Sequence, residues 1–162
     1  MRNAMNRVEF RAEELPLPPW SQEARSFILN VLDLLGLSNW DISVLICNNS
    51  YIKALNSQYR NKDEPTDVLS FPLGERSRAG RFLAGDIVIS LDALEENARF
   101  FKVTVEEELR RLLVHGILHL SGEDHATNKA DEPMLIKQEE ILAKLKENIS
   151  RRGAEARRTK SD

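Results

Sequence analysis

The sequence predicts a single α+β domain, with a mixed sheet of about four strands surrounded by about five helices. The chain has 162 residues, which is the size of one ordinary domain with a single core. Short apolar runs with strand character alternate with longer runs of helical periodicity. No internal repeat and no Pro- or Gly-rich linker divides the sequence, so we expect one sheet covered by helices.

The first half of the chain predicts two strands that alternate with two helices. The strands are expected over residues 8–11 and 41–48, and the helices over residues 20–37 and 49–59. Ser21 is the expected N-cap of the first helix, and Gly36 lies near its end. The second helix leads to Arg60 and to a turn around Pro65.

The second half predicts two more strands followed by three helices. The strands are expected over residues 67–71 and 86–90 with a basic, turn-rich loop at 74–81, and the helices over residues 91–101, 105–120 and 134–149. Thr104 and Glu107 form a capping-box pattern that begins the middle helix. Gly122 favours the end of that helix, since glycine adopts the left-handed conformation without strain.

Charge is unevenly distributed along the chain. The net charge is −3, which argues against a protein that coats nucleic acid through a uniformly basic surface. Residues 151–162 hold five Lys or Arg against Glu155 and Asp162, a local charge of +3 that leaves −6 on residues 1–150. We therefore predict one domain at 1–150 and a basic, disordered C-terminal tail at 151–162, in preference to a specific RNA-binding arm.

The number of cysteines and the hydropathy of the chain predict its cellular compartment. Cys47 is the only cysteine, which excludes a disulfide framework and a cysteine-rich zinc ribbon and fits a reducing compartment. The N-terminus has no apolar signal core, and no stretch approaches the roughly 18 apolar residues of a membrane span. We expect a cytoplasmic protein with no membrane partner.

All three histidines of the chain lie in one short segment. His115 and His119 differ by about 40° around the predicted helix and by roughly 6 Å along it, so both imidazoles can reach one ion. Gly122 lets the chain reverse, and His125 can then return as a third ligand. Three neutral imidazoles suit zinc and leave the fourth tetrahedral position to water or substrate. The segment therefore predicts one zinc ion per chain and makes residues 1–150 a metal-dependent hydrolase domain.

Two other interpretations of the histidines stay open. They can be ordinary side chains at the end of an apolar helix, although three at this spacing with none elsewhere favour a metal site. A closed site with Cys47 as the fourth ligand is disfavoured, because Cys47 lies in a strand expected to be buried.

The segment from His115 to His125 resembles two known patterns. Its histidines and Gly122 match the metzincin metalloproteases, but Gly116 stands where those proteases carry their general-base glutamate, which speaks against peptide hydrolysis. The segment also resembles the signature of the YbeY family of bacterial rRNA maturation factors, which has glycine after the first histidine and aspartate before the third. Gly116 and Asp124 both match.

Two further blocks extend this resemblance. Arg60 followed by residues 65–72 is similar to the family's other characteristic stretch, residues 85–90 are similar to a third, and the resemblance spans residues 41–140. It implies a mixed sheet with a metzincin-like zinc-binding helix. It also implies a zinc-dependent, single-strand-specific endoribonuclease that processes the 3′ end of small-subunit rRNA and serves ribosome quality control. The implied partners are precursor rRNA, the small ribosomal subunit and its assembly factors, and no DNA is expected.

Arg60 and His115 are the candidates for catalysis. A guanidinium at Arg60 can bind the scissile phosphate through two hydrogen bonds, and the resemblance points to the same residue. The alternative for Arg60 is a surface arginine that stabilises a helix end. His115 enters catalysis as a ligand of the ion. Glu123 and Asp124 can orient an imidazole, take a proton from water or only satisfy turn amides, and the spacing does not choose among these roles.

Other polar residues have a structural interpretation beside the functional one. Thr66 and Asp67 fit turn capping better than substrate contact. Arg76, Arg78 and Arg81 fit an RNA approach path and a solvated hairpin tip equally well.

Three functions from different classes follow from the sequence. The first is the metal-dependent endoribonuclease. The second is a metalloprotease or amidase, which Gly116 disfavours. The third is a non-catalytic ribosome-assembly binding protein with a zinc site, which the negative charge of residues 1–150 keeps open because RNA affinity of such a body alone is weak.

Overall fold

A computed structural model describes residues 5–160, and side chains from residue 148 onward lie outside the described part. The described chain forms the elements β1 Arg7–Ala12, α1 Ser21–Leu34, β2 Trp40–Cys47, α2 Asn49–Arg60, β3 Val68–Arg76, β4 Phe82–Ser90, α3 Leu91–Phe101, α4 Val105–Leu120 and α5 Pro133–Lys160. The four strands form one sheet in the order β1-β2-β4-β3. β2 pairs in parallel with β1 and β4, and β3 pairs antiparallel with β4. This confirms the predicted α+β fold with a mixed sheet and surrounding helices.

Apolar side chains of the central strands β2 and β4 point alternately to two faces of the sheet. On one face, Val44 and Ile87 pack in the main core with residues of α1, α4 and α5. On the other face, Leu45 and Val88 form a smaller cluster with Ile52 of α2. Both faces are thus covered, which is why the second halves of these strands are continuous apolar runs rather than alternating ones.

Three helices begin at a side-chain cap. Asn48, Ser90 and Thr104 each accept a hydrogen bond from the backbone N–H three residues later. The predicted cap at Thr104 is confirmed, and Asn48, predicted as the last residue of a strand, instead caps α2. Ser21 as an N-cap was wrong. It is already the first residue of α1, and its hydroxyl donates to the carbonyl of Pro18 at 2.7 Å.

The hairpin of β3 and β4 is longer than predicted. Pairing continues past a register shift between Pro72 and Glu75, so residues 74–76 of the expected loop at 74–81 belong to β3. Arg81 anchors the end of the hairpin, because its Nε and Nη2 donate to one carboxylate oxygen of Asp41 on β2 at 2.9 and 2.7 Å. The role of Arg81 in this structure is therefore to join the hairpin to β2, rather than to form part of a solvated tip.

Two glycines allow the backbone to approach its neighbours closely. Gly85 has φ +136°, and a Cβ there would fall on the carbonyl oxygen of Phe71 in the adjacent strand. Gly116 lies on α4 above β4, where a Cβ would come within 2.9 Å of the Ile87 side chain. α4 can therefore lie directly against the sheet at residue 116, and this fixes the direction in which the neighbouring His115 points.

Helix α5 extends beyond the predicted range of 134–149 and includes residue 150, where the domain boundary was predicted. Residues 161 and 162 lie outside the described part. The division into a domain at 1–150 and a tail at 151–162 stays a prediction. None of the helices in the described residues has the length and apolar character needed to cross a membrane.

Replacing Gly85 with alanine is expected to lower the free energy of unfolding by about 3 kcal/mol, because the new Cβ strikes backbone and the positive φ adds strain. Gly80 is the matched control. Its φ is also positive, at +82°, but apart from its own chain neighbours no described residue has an atom within 4 Å of an added Cβ, so Gly80→Ala should cost only about 1 kcal/mol. Urea unfolding followed by circular dichroism measures the free energy of unfolding of both variants. Equal losses of stability would contradict the contact between Gly85 and the adjacent strand as the cause.

Candidate metal centre

Helix α4 supplies the first two histidines of the site. His115 and His119 lie one turn apart, with ring centroids 4.7 Å apart and Nε2 atoms 3.2 Å apart. Gly116 faces β4, and His115 and His119 lie about 100° and about 60° from it around the helix, both on the same side, where His115 meets Gln138 of α5. The structure thus brings together the two residues that the four-residue spacing predicted to share a helix face.

The end of α4 turns the chain so that His125 returns to the other two histidines. Gly122 has φ +101°, and backbone bonds from Gly122 N to the His119 carbonyl and from Glu123 N to the Leu118 carbonyl close the helix in a Schellman motif. The His125 ring then lies 5.1 and 5.3 Å, centroid to centroid, from the rings of His115 and His119.

Each imidazole uses its Nδ1 to reach an oxygen acceptor. The pairs are His115 with Gln138 Oε1 at 2.9 Å, His119 with the Glu123 carbonyl at 3.0 Å, and His125 with the Thr127 carbonyl at 2.8 Å. An amide or carbonyl oxygen has no proton to donate, so each Nδ1 carries the hydrogen and each Nε2 is left as an acceptor. All three rings are therefore in the tautomer that a metal bound at Nε2 requires.

The spacing of the free nitrogens fits a metal ion. One ligand atom from each histidine lies within 4.8 Å of the others. Tetrahedral zinc with bonds of about 2.0–2.1 Å separates two ligand nitrogens by roughly 3.3 Å, close to the 3.2 Å between the Nε2 atoms of His115 and His119. Two lone pairs at this distance repel unless a cation lies between them. All three residues are only half-buried, so one side of the site is open to solvent.

Burial keeps two of the imidazoles neutral. The loss of water around the charged ring lowers the pKa of His115 and of His119 below 6.5, and for His119 the neighbouring His115 adds to the shift. A metal ligand must be the neutral ring. At pH 7 these side chains are therefore ready to bind an ion without first losing a proton.

The loop that carries His125 is held by contacts of its own. Thr127 donates to Glu132 Oε2 from both its backbone nitrogen, at 2.9 Å, and its hydroxyl, at 2.7 Å. Glu123 pairs with Lys137 of α5 at 2.7 Å. These contacts fix the loop at both ends and so support the carbonyls that orient His119 and His125.

Sequence reasoning missed Gln138, the partner of His115. It is 6% exposed, and it lies in the buried stripe of α5 formed by Met134, Ile141 and Leu145. Its only signal in the sequence is a polar residue at an apolar position of an amphipathic helix.

Arg60 is the last residue of α2 and is exposed. Its side chain forms no hydrogen bond or ion pair with any residue that the structure describes. The helix end is capped instead by Asn61, whose backbone nitrogen donates to the Ser57 carbonyl, so Arg60 is not needed there. The ring of Tyr59 lies 5.3 Å from that of Phe71, which places the end of α2 beside β3, but Arg60 is not in contact with the histidines.

Asp124 and Asp67, two acidic residues near the site, each accept a hydrogen bond from a backbone nitrogen. Asp124 accepts from the His125 backbone nitrogen at 2.8 Å, and its carboxylate lies 3.8 Å from His119 Nδ1, too far for a hydrogen bond. Asp67 accepts from the Val68 nitrogen at 2.8 Å and from Asn97 at 3.0 Å. Turn capping, the preferred interpretation for Asp67, is thus present.

Cys47 is separate from the histidines, so the closed site with Cys47 as a ligand was wrong. The thiol lies in the cluster beneath α2 and is fully buried. Burial, together with the charges of Asp92 and Glu14, raises the pKa of Cys47 to about 12, which keeps the sulfur protonated.

A buried carboxyl lies on α4 two turns before His115. Glu108 is 3% exposed, and its Oε2 accepts from Asn97 at 3.3 Å. Its Oε1 has no hydrogen-bond partner among the described residues, and Arg111 Nη1 lies 3.7 Å from it. Burial raises the pKa of Glu108, and the hydrogen bond from Asn97 opposes the shift.

Comparison with known proteins points to one family. A family model described as Endoribonuclease YbeY matches residues 7–146. The Endoribonuclease YbeY of Treponema denticola is 53% identical over 136 residues, which cover 80% of this chain and 88% of that protein. That of Treponema pallidum is 47% identical over 143 residues, covering 86% and 89%. The solution structure of TM1509 from Thermotoga maritima matches with a TM-score of 0.60 at 30% identity and covers 87% of this chain and 93% of that one.

The variant Glu108→Gln is expected to be more stable than the wild type at pH 7. Because the pKa of Glu108 is raised on folding, the folded state binds this proton more tightly than the unfolded state, and the carboxylate costs stability as the pH rises above 4.5. The advantage of glutamine should therefore shrink between pH 7 and pH 5. Urea unfolding of both metal-free proteins measures this difference in the free energy of unfolding. An advantage of Glu108→Gln that grows toward pH 5 would contradict a raised pKa of Glu108.

Proposed function

The chain belongs to the endoribonuclease YbeY family, and we propose that it is a zinc-dependent, single-strand-specific endoribonuclease that processes the 3′ end of small-subunit rRNA and serves ribosome quality control. One observation carries the proposal. Three half-buried imidazoles, each with its Nδ1 hydrogen engaged, turn their free nitrogens toward one point that is open to solvent.

The proposed ligands of one zinc ion per chain are His115, His119 and His125. Imidazole nitrogen favours zinc over magnesium or calcium, which prefer oxygen ligands. Three protein ligands are typical of catalytic zinc sites, and structural sites have four. When bound, the ion supplies Lewis-acid chemistry for phosphodiester hydrolysis.

Arg60 is proposed to bind the scissile phosphate. It is exposed and has no partner among the described residues, so its guanidinium is free to form two hydrogen bonds to phosphate oxygens. Its positive charge would offset the negative charge that develops in the transition state. His115 is proposed to act in catalysis as a ligand whose ring is held still by Gln138.

Position 116 disfavours a peptide substrate. In the metzincin pattern a glutamate there is the general base, but in this chain residue 116 faces Ile87 on the sheet, where even an added Cβ would come within 2.9 Å of that side chain. The peptidase or amidase alternative therefore lacks the carboxylate on which that mechanism depends.

The distribution of charge supports delivery of the substrate by partners. Residues 1–150 carry −6, which opposes tight binding of RNA by this surface alone. We propose that the small ribosomal subunit and its assembly factors present precursor rRNA to the site in the cytoplasm. The same charge favours one of the competing functions, a non-catalytic protein that docks on the ribosome through a zinc-bearing domain.

Replacing His119 with alanine is expected to abolish both metal binding and cleavage. Wild-type protein should contain about one zinc per chain, and loss of a direct ligand should cost more than the 10–100-fold in affinity typical of losing a ligand's hydrogen-bond partner. The measurements are zinc content and cleavage of a single-stranded precursor-rRNA fragment by the same samples. Asn128→Ala, an exposed change in the same loop, is the control that should retain both.

Other outcomes separate the competing functions. Zinc without cleavage, or rescue of rRNA processing in cells by His115→Ala, would favour the docking role. Peptide cleavage that a chelator stops, with RNA left whole, would favour the peptidase. Wild-type protein without metal would overturn the zinc site itself.

Arg60→Ala is expected to slow RNA cleavage by about 10²–10³-fold, the usual cost of removing one donor to the transition state. Its zinc content should not change, because Arg60 does not contact the histidines. Arg99→Ala removes an exposed arginine from the last turn of α3 and is the matched control. Equal rates for the two variants would contradict a role of Arg60 at the phosphate.

A further inference from the structure

We propose that Gln138 is a positioning residue, held by Glu139 and Arg111, that keeps His115 in the tautomer able to bind the metal through Nε2. This rests on the proposed metal site. The proposal adds Gln138 of α5 to a site whose ligands lie on α4 and the loop after it. The hydrogen bond from His115 to Gln138 then influences how tightly the site binds the metal ion.

The hydrogen bonds of Gln138 define the orientation of its amide. Its Nε2 donates to Glu139 Oε2 at 3.1 Å, and a carboxylate oxygen can only accept. The opposite atom, Oε1, is therefore the one that faces His115 Nδ1 at 2.9 Å. Because Oε1 can only accept, His115 must carry its proton on Nδ1, and Nε2 is left free.

Glu139 is itself fixed by a two-pronged contact with Arg111. Nε and Nη2 of Arg111 donate to the two carboxylate oxygens at 3.0 and 2.9 Å. This hydrogen bonding lowers the pKa of Glu139, so the group is an ionised acceptor at neutral pH. Arg111 lies one turn before His115 on α4. The contacts therefore form a closed path that leaves α4 at Arg111, crosses two residues of α5 and returns to α4 at His115.

His115 differs from the other two histidines in the kind of acceptor that it uses. His119 and His125 donate to main-chain carbonyls, which no substitution removes. The acceptor for His115 is a side chain on a different helix, and it is 6% exposed. A neutral ring without this partner can carry its proton on either nitrogen. The tautomer of His115 therefore depends on Gln138, whereas those of the other rings depend on the backbone fold.

The first test is the tautomer of metal-free protein, observed by ¹⁵N NMR of the imidazole rings. The chain has three histidines, so the spectrum contains three ring systems, and His115 is assigned by its loss in His115→Ala. In the wild type the proton of His115 is expected on Nδ1. In Gln138→Met, which keeps the length of the side chain and removes the acceptor, a mixture of both tautomers is expected. Glu140→Met is the control, since Glu140 is exposed on the same helix.

The second test is zinc affinity, measured by competition with a chromophoric chelator. Gln138→Met should weaken binding by about 10–100-fold, as for other partners of metal-bound imidazoles, and Glu140→Met should not change it. Gln138→Glu retains an acceptor for Nδ1 and should keep the proton of His115 there. Arg111→Met leaves Gln138 in place, loosens Glu139 and also removes the ion pair with Glu108 at 3.7 Å; it should weaken binding measurably but by less than about 10-fold.

The results separate this proposal from the metal site on which it rests. If Gln138→Met leaves both the His115 tautomer and the zinc affinity unchanged, the positioning role is overturned although the metal site stands. If wild-type protein binds no zinc, the metal site fails, and the ¹⁵N spectrum still decides whether Gln138 sets the tautomer. Should Gln138→Met not fold, Arg111→Met and Gln138→Glu replace it in the test. The proposal is then overturned if Arg111→Met binds zinc with wild-type affinity and His115 of Gln138→Glu is a mixture of both tautomers.

Discussion

The close contact of α4 with the sheet is the constraint on which the site depends. Gly116 lies so near Ile87 that a single added carbon would come within 2.9 Å of that side chain, so either the side chain or the helix would have to shift. Successive residues of a helix are turned by about 100°, so with residue 116 facing the sheet His115 and His119 lie on the same side of it, about 100° and about 60° around the helix. The distance from α4 to β4 therefore sets where the first two imidazoles lie relative to α5, which supplies the acceptor for one of them.

The three imidazoles are oriented by independent parts of the fold. α5 holds His115, the reversal at the end of α4 holds His119, and the following loop holds His125. Each ring already has the tautomer that a metal at Nε2 needs, so little reorganisation accompanies binding. The cost of this arrangement falls on the metal-free protein, in which lone pairs of two nitrogens face each other at 3.2 Å and half-buried rings resist protonation. Binding a cation relieves that cost, and this couples the stability of the helix end to the ion.

The features predicted best from the sequence are those that depend on local pattern. α4 has a capping threonine, an apolar face and a terminating glycine, and its observed bounds of Val105–Leu120 match the prediction. The hairpin was predicted too short because its glycines and charges resemble a loop, whereas the anchor at Arg81 depends on Asp41, forty positions away in the chain. Gln138 was missed for the same reason. A contact between two helices cannot be derived from the periodicity of either one, and a glutamine in an apolar stripe shows only that it needs a partner.

The order of the strands leaves β1 and β3 at the two borders of the sheet, where backbone groups without a neighbouring strand can recruit another chain. β3 carries Pro72, which lacks an N–H to donate, and a register shift follows it. β1 places the exposed charges of Arg7, Glu9 and Arg11 along its length. Both borders thus disfavour the addition of a further strand, which protects a newly made chain from self-association in a crowded cell.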